Sequence, residues 1–585
     1  MAKLITIAVG AVNAKLVNAT REECLAVQLM LSYAEDGAAF SAAHQSGTWD
    51  GRSSFFAFST AMFPAGFFVR VYREFVRLGY QVNVVRRDLP APIGEKNAKV
   101  DDFGFDARYD YQPQVVDLLE RYGQVIAQVA TGGGKSRIAK LSVMRVKRPT
   151  LFLTTRGILM HQMRDAFQAD LGLKVGIYGD SEWSPTLQLF NVGMVQTFSA
   201  RLEEKTIRGE LESLAQRRQV AEDKKIESPI RALKKKKVHP DTIGAEVGAL
   251  LLRIRSEYPP AAQTLDETKT KVELHMRKRT EAIDLLARFE FVILEEAHEA
   301  SSNSYSSVMR HCTGAHYRLS LTATPGMKDS QKANMMLEAA SGPVAIKVSE
   351  KMLIDRGILA KPYFVFATDP DPFPTGEYEA EVIDEHGDKT YSTKVAKLHK
   401  STPYVRAVEL GITGSITRNA RIVAEVKRAH QHGLSSMVLV QRSAHGKRLA
   451  ELLHNAGVRC AWIEGEDNQD TRQAAIQALK SGEISCLIGS TILDVGVDVP
   501  AVGLVVLAGG GKAEVANRQR IGRGLRAKRS GPNICFVLDF EDRHNNHLRD
   551  HARERRRLVD STPGFSEGVV ADFPYAQLFA LKAAA

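Results

Sequence analysis

VIAQVATGGGKSRIAK, residues 125–140, sets the frame for the whole chain. A short run rich in β-formers, VIAQVA, leads into Gly132, Gly133 and Gly134, then Lys135 and Ser136, and a helix-favouring stretch begins near Lys135. Strand, glycine loop and helix in that order form a phosphate cradle. Backbone amides close around phosphate oxygens only where no Cβ intervenes, and the helix start adds free N–H groups. In such a loop Lys135 neutralises β- and γ-phosphates and Ser136 offers a hydroxyl to magnesium. The strict spacing asks for glycine at 129, where this chain has Val129.

Outward from this loop the same grammar repeats. TLFLTT (150–155), VGMVQT (192–197), FVILEE (291–296) and YRLSLTAT (317–324) are short apolar runs that end in polar residues. Such runs suit central strands of a parallel sheet, buried on both faces, with functional groups at their carboxyl ends. The pattern returns in SSMVLVQR (435–442), CAWIEG (460–465), CLIGST (486–491), VGLVVLA (502–508) and ICFVLDF (534–540). The expected fold class is α/β, with two successive parallel-sheet lobes over 101–348 and 349–585, the second ending in a basic tail. Residues 1–100 read as a separate small α/β module: LITIAV as a strand, REECLAVQLMLSYAE as a helix, FFVRVYREFVRLGYQVNVV as a helix running into a strand. Residues 200–285 are long, charged and helix-favouring, and they separate two strands of the first lobe, so they form a helical insertion. Pro229, Pro240 and Pro259–Pro260 divide it into three helical pieces. It is either an arm that touches DNA or a partner, or a solvated helical hairpin; only Lys234–Lys237 is a pure block of one charge.

A hydrophobic fraction of 44% and a charged fraction of 25% describe a soluble globular chain. No apolar run approaches the roughly 20 residues a bilayer span needs, and the amino terminus reads as a strand rather than a signal peptide. Five scattered cysteines without a CxxC pair argue against zinc or a disulfide framework and fit a reducing cytoplasm. A net charge of +11 is compatible with a polyanionic partner and equally with a mildly basic protein of another kind.

LEEAH (294–298) closes the run FVIL and resembles the DEAH motif of helicases, whose first acid holds magnesium and whose second polarises the attacking water. Glu295 stands where Asp is usual, its extra methylene either absorbed by a bridging water or lowering turnover; Glu296 is the implied base. The resemblance gives His298, Thr322 and Thr324 of LTATP (321–325) the task of coupling the acid site to the second lobe. It places Arg108 and Gln112 in an adenine-reading position, Gln112 pairing with the base edge; the alternative is an N-capping turn ahead of the helix QPQVVDLLERY. TILDVGVDVP (491–500) carries Thr491 where the family contacts nucleic-acid phosphate, and Gly496 and Asp498 where it contacts the ribose of ATP. QRIGRGLR (519–526) contributes Gln519 and two arginines, Arg523 and Arg526, three apart and hence on one helix face. Opposite a γ-phosphate they are fingers that stabilise developing charge.

These segments, in this order, are similar to superfamily 2 helicases with two RecA-like lobes. SEKMLIDRGILAKP (349–362), VLVQRSAHGKRLAELL (438–453) and the stretch 463–500 resemble the branch holding UvsW-type phage helicases, XPB-like helicases and type I restriction motor subunits. GTWDGR (47–52) is similar to a segment of the small DNA-binding domain ahead of the motor in the UvsW-like group. There Trp49 is a core residue or a stacking platform, and Arg52 a phosphate contact or a salt bridge to Asp50. The resemblance implies a DNA-dependent ATPase using ATP and Mg2+, a monomer in the cytoplasm (of a bacterial host for a phage-encoded chain) with no membrane partner. Its implied work is remodelling branched or forked DNA by branch migration, fork regression, unwinding and annealing during recombination, repair or replication. The alternatives are a restriction-complex motor subunit, an RNA helicase, and a DNA-annealing protein whose ATPase is weakened by Glu295.

Overall fold

The computed structural model describes residues 3–580 apart from 87, 298–302, 327–329, 372, 384–388, 466, 491–500, 513 and 529–530. It gives backbone alone for 381–383, 389–390, 469, 514–516, 523 and 579–580. The fold is mixed α/β built on parallel sheets. The first large sheet has eight strands in the order Glu182–Trp183, Val175–Gly179, Phe190–Met194, Thr150–Thr154, Phe291–Glu295, Tyr317–Thr322, Gln124–Val129 and Val344–Val348. All neighbours run parallel except the short Glu182–Trp183 edge. The second has six parallel strands: Lys361–Ala367, Ile534–Phe540, Leu504–Leu507, Ser436–Leu439, Cys486–Gly489 and Cys460–Ile463. Every residue of Thr150–Thr154, Phe291–Glu295, Tyr317–Thr322 and Ile534–Phe540 is buried, which is why these strands read as mainly apolar runs; Arg318, Ser320 and Asp539 are the buried polar exceptions inside them. No helix among the described residues is long and apolar enough to cross a membrane. All five cysteines are free.

Residues 4–86 form a four-stranded sheet, Met62–Pro64, Asn13–Val17, Leu4–Val9 and Gln81–Arg86, backed by the helices Arg21–Met30 and Phe68–Arg77. The opening strand is therefore half of an antiparallel hairpin, closed where the Gly10 amide donates to Asn13. The stretch 21–35 is not one helix: it starts in a Thr20–Glu23 capping box and ends at Met30, because Ser32–Ala34 leaves to pair with Arg52–Ser54. This module sits on the first lobe's helix Gln331–Ser341. Arg70 pairs with Glu338, Lys332 with Glu35 at 2.8 Å, and a Cβ on Gly66 would overlap the Glu338 carbonyl oxygen.

The insertion consists of the helices Ile207–Lys235, Pro240–Ser256 and Ala261–Ala287. Pro229 does not divide it but lies inside the first of them. A lone proline removes one backbone hydrogen bond, a small loss within a helix of 29 residues. The other prolines act as expected, Pro240 opening the second helix and Pro260 standing just before the third. VGMVQT also splits, since the strand ends at Met194 and Val195 starts a helix. The strands Val175–Gly179, Val344–Val348 and Lys361–Ala367 and the hairpin Thr375–Ile383/Lys389–Lys397 complete the architecture. The basic tail is a helix, Asn546–Ser561, folded onto the second sheet with Arg555 buried between Asp539 and Asp542.

Candidate nucleotide-binding site

Residues 130–134 join the strand Gln124–Val129 to the helix Lys135–Val146. Gly132 and Gly134 adopt φ of +86° and +81°, a region that favours glycine. Packing demands the same residues. A Cβ at Gly132 would stand 2.7 Å from Leu359, one at Gly133 2.6 Å from Val129, and one at Gly134 would strike the Gln112 amide.

Beneath the loop lies a floor made by residues 101–112. Tyr111 Oη donates to the Gly133 carbonyl at 2.6 Å, and Gln112 Nε2 donates to the same oxygen at 3.3 Å. Gln112 Oε1 accepts from Arg137 Nη1 at 2.7 Å, and Arg137 is also paired with Asp101 at 2.8 Å. Burial pushes the Tyr111 phenol far above its usual pKa and keeps it a donor. Gln112 is thus fully buried and holds the loop's shape, a task the sequence reading did not assign. It sits in the first turn of the helix Tyr111–Tyr122 rather than ahead of it. Arg108 points at Asp106, 2.7 Å away, while its carbonyl accepts from Arg356 at 2.8 Å.

The acid strand and the threonine strand end beside this loop. Glu295 pairs in register with Leu321, and Thr322 with Gln128 of the strand that feeds the glycines. Three motifs far apart in sequence therefore converge at the carboxyl edge of one parallel sheet, where ligands of such sheets bind. Lys135 Nζ lies 3.7 Å from Glu296 Oε1. Glu296 has φ +46°, left-handed for a side chain that seldom adopts it, a strain of about 1–3 kcal/mol held at the site by its surroundings. Glu295 is 7% exposed and its Oε2 has no hydrogen-bond partner among the described residues. Burial, and then the neighbouring Glu296 charge, push its carboxyl up to about 7, with Lys135 opposing. A buried, unpartnered carboxylate oxygen beside a phosphate loop fits a hard divalent cation, and Ser136 at the helix start is a second oxygen donor. Thr322 Oγ1 accepts from the Thr324 amide at 3.1 Å, both threonines being buried, and the Thr324 hydroxyl has no hydrogen-bond partner among the described residues.

The second lobe reaches this loop through the helix Glu514–Gly524. A Cβ on Gly522 would stand 2.8 Å from Thr131 Cβ, so only a glycine lets this helix lie on the phosphate loop. Gln519 is half-buried and Arg520 buried on the same helix. The expectation that Arg523 and Arg526 share a helix face is corrected. The helix ends at Gly524, pressed against Val505 and Cys535, and Arg526 pairs in an extended bridge with Leu359. The Arg523 side chain, His298, Thr491, Gly496 and Asp498 lie outside the described residues.

The linker helix Glu350–Asp355 completes the site. Glu350 pairs with Arg518 at 3.0 Å, Leu353 packs where a Cβ at Gly133 would go, and Arg356 pairs with Asp110 at 2.5 Å. Arg137, adjacent to the glycine loop, was within reach of sequence reasoning; Arg356 was not, since its contacts cross some 246 residues. In the amino-terminal module, Trp49 Nε1 donates to the Arg52 carbonyl at 2.6 Å and the Arg52 guanidinium donates to Ser32 Oγ at 3.0 Å. The salt bridge to Asp50 does not form: Asp50 instead accepts the Arg52 backbone amide at 3.0 Å, closing a tight turn.

Two family models match. Residues 107–327 match "Type III restriction enzyme, res subunit", and residues 418–528 match "Helicase conserved C-terminal domain". The chain is similar to a helicase-named protein of Sulfolobus islandicus filamentous virus, at 24% identity over 55% of this chain and 54% of the other. It is also similar to the ATP-dependent DNA helicase uvsW of Enterobacteria phage T4, at 24% identity over 44% of this chain and 46% of that one. The chain thus spans about half the length of these curated relatives. Among solved structures, that of T4 UvsW aligns over 97% of this chain and 99% of its own, at 16% identity and a TM-score of 0.39. With its res-type first lobe and its helicase C-terminal second lobe, the chain carries the domains of superfamily 2 helicases.

Proposed function

We propose that this protein is an ATP-driven DNA helicase or translocase that remodels branched or forked duplexes. The observation that carries the reading is the seating of Gly522 on Thr131, which joins the second lobe to a phosphate loop whose neighbouring strand ends in an acid pair. In this reading Lys135 and the loop amides grip the β- and γ-phosphates, and the floor of Tyr111, Gln112 and Arg137 keeps the loop preformed. Ser136 and Glu295 hold Mg2+, which when bound neutralises phosphate charge. Glu296 orients the attacking water and accepts its proton, with Lys135 Nζ 3.7 Å away. Arg523 and Arg526, approaching from the second lobe, stabilise charge on the transferring phosphoryl group. Hydrolysis removes the group both lobes hold, the cleft relaxes, and a nucleic acid lying across the lobes is stepped along its backbone.

ATPase and strand-displacement assays on forked, Holliday-junction, linear-duplex and RNA substrates test this. Stimulation and unwinding greatest on forks and junctions are expected; equal or absent stimulation by all four removes it. The wording of the first family model favours a second reading, the motor of a restriction complex. That motor would translocate on linear duplex with no preference for forks.

A further inference from the structure

The helical insertion lies outside the machinery above, and its charges are distributed unevenly. Near its root they are paired: Lys205 with Glu210 at 3.0 Å, Lys271 with Glu210 at 3.2 Å, and Arg255 with Glu222 at 2.9 Å. His275 and Arg279 bond to the carbonyls of Glu203 and Leu202 at 2.8 and 3.0 Å, fixing the third helix along the start of the first. Arg218 sits over Tyr258 at 4.6 Å and reaches Thr264, so beyond this level only two helices continue. The arm thus narrows to a two-helix prong. Its turn holds Lys234, Lys235, Lys236 and Lys237, all exposed, with Lys224 and Lys225 exposed further down the same helix. Arg231, paired with Glu227 at 2.6 Å, stands between.

Geometry places this turn far from the nucleotide. The first helix has 29 residues, about 43 Å at 1.5 Å per residue. The arm returns to Phe291, the amino-terminal end of the strand whose carboxyl end bears Glu295, so it is rooted at the sheet edge opposite the phosphate loop. Lysines in a last helical turn also favour the helix dipole, but that accounts for Lys234 and Lys235 and not for Lys236 and Lys237, which follow the helix.

We infer that the Lys234–Lys237 turn is a second nucleic-acid contact, a prong that grips the phosphate backbone of a duplex about 40 Å from the arm's root. The inference rests on the DNA reading above. Clustered ammonium groups on a rigid stem suit phosphate oxygens, which position without reading sequence. Single strands are held by aromatic platforms, and residues 207–257 contain no Phe, Tyr or Trp, so duplex is the partner this surface fits. At 3.4 Å per base pair the reach corresponds to about 12 base pairs of duplex beyond the motor.

The test replaces Lys234, Lys235 and Lys236 by Gln and Lys237 by Asn, the last because φ at 237 is +57°, which Asn tolerates. Binding of a fluorescent duplex of about 35 base pairs is titrated against salt. The slope of log affinity against log salt should fall by about 3–4, near 0.9 per lost contact. Wild-type affinity should rise as the duplex is lengthened by about 12 base pairs while the variant's stays flat, and DNA-independent ATPase should not change. Lys→Arg at 234–236 keeps the charge and should keep the slope, which separates charge from folding of the turn. An unchanged slope in the Gln/Asn variant overturns the prong while leaving the motor reading intact. A wild type that binds no duplex overturns both.

Discussion

Replacing Glu295 by glutamine probes the acid site without nucleotide or nucleic acid. In the metal-free protein this carboxyl is buried, lacks a partner for Oε2, and has the Glu296 charge beside it, so it holds its proton up to about pH 7 instead of the ordinary 4.5. Between those values the folded protein carries a proton that the unfolded chain has released. Stability therefore falls as pH rises through the window and is level below 4.5 and above about 7. At about 1.4 kcal/mol per pH unit the gap amounts to roughly 3 kcal/mol. Glutamine is isosteric and stays neutral, so Glu295→Gln should escape this loss and gain roughly 3 kcal/mol on wild type between pH 4.5 and 8. For a lobe of this size that is a Tm difference of about 6–10 °C opening with pH. Thermal melts in EDTA at intervals from pH 4.5 to 8.5 measure it. Magnesium with nucleotide should reverse the order at pH 8, raising the wild-type Tm and leaving the variant's where it was. Parallel Tm profiles for the two proteins in EDTA would refute the reasoning, since they would mean that Glu295 is already charged and satisfied without a cation.

Lys135→Ala and Glu296→Gln should each lower kcat for ATP hydrolysis at least 10²-fold, measured by phosphate release; near-normal turnover removes the assignment of these residues. Arg523→Ala should leave nucleotide binding intact and reduce kcat by about 10³-fold or more, a split read from equilibrium binding beside steady-state rates. Gly522→Val puts a branched side chain where Thr131 Cβ would be 2.8 Å away, so the second lobe should back off the phosphate loop. Nucleotide affinity should hold while kcat drops about 10²-fold, and unchanged kcat would show that this contact is not needed. Gly66→Val should undock the amino-terminal module from the helix Gln331–Ser341, exposing the 88–106 connection to limited proteolysis with basal ATPase retained.

The central strands of both large sheets were legible because doubly buried parallel strands are mostly apolar and end in polar residues, whereas the order in which they pair was not, since pairing leaves no local mark. The convergence of the glycine loop, acid pair and threonine strand was legible too, since each closes an apolar run at the carboxyl edge of the same sheet. Three features were not. The end of the Glu514–Gly524 helix depends on Gly524 meeting Val505 and Cys535, contacts with no local signature, and from spacing alone Arg526 belonged on the same face as Arg523. Pro229 looked like a boundary because its local cost was visible, yet the helix Ile207–Lys235 runs through it. The hold of Gln112 on the glycine loop was hidden because nothing in its neighbourhood announced Gly133 and Arg137 as its partners.

The linker between the lobes bears on how they communicate. Residues 349–360 join the two sheets covalently and also pack against the candidate nucleotide-binding loop. Leu359 and Leu353 fill the space that side chains at Gly132 and Gly133 would need, Arg356 holds the floor through Asp110 and the Arg108 carbonyl, and Glu350 holds Arg518 of the second-lobe helix. The Ala360 amide then donates to the Leu525 carbonyl at 2.7 Å, just where that helix has ended. A packed core transmits displacement because it has no slack to absorb it. A loop that tightens on phosphates must therefore move the leucines above it, and these belong to the segment that carries the second lobe. In the proposed reading these contacts couple loop shape to lobe orientation, the property a nucleotide-driven motor requires of the segment joining its lobes.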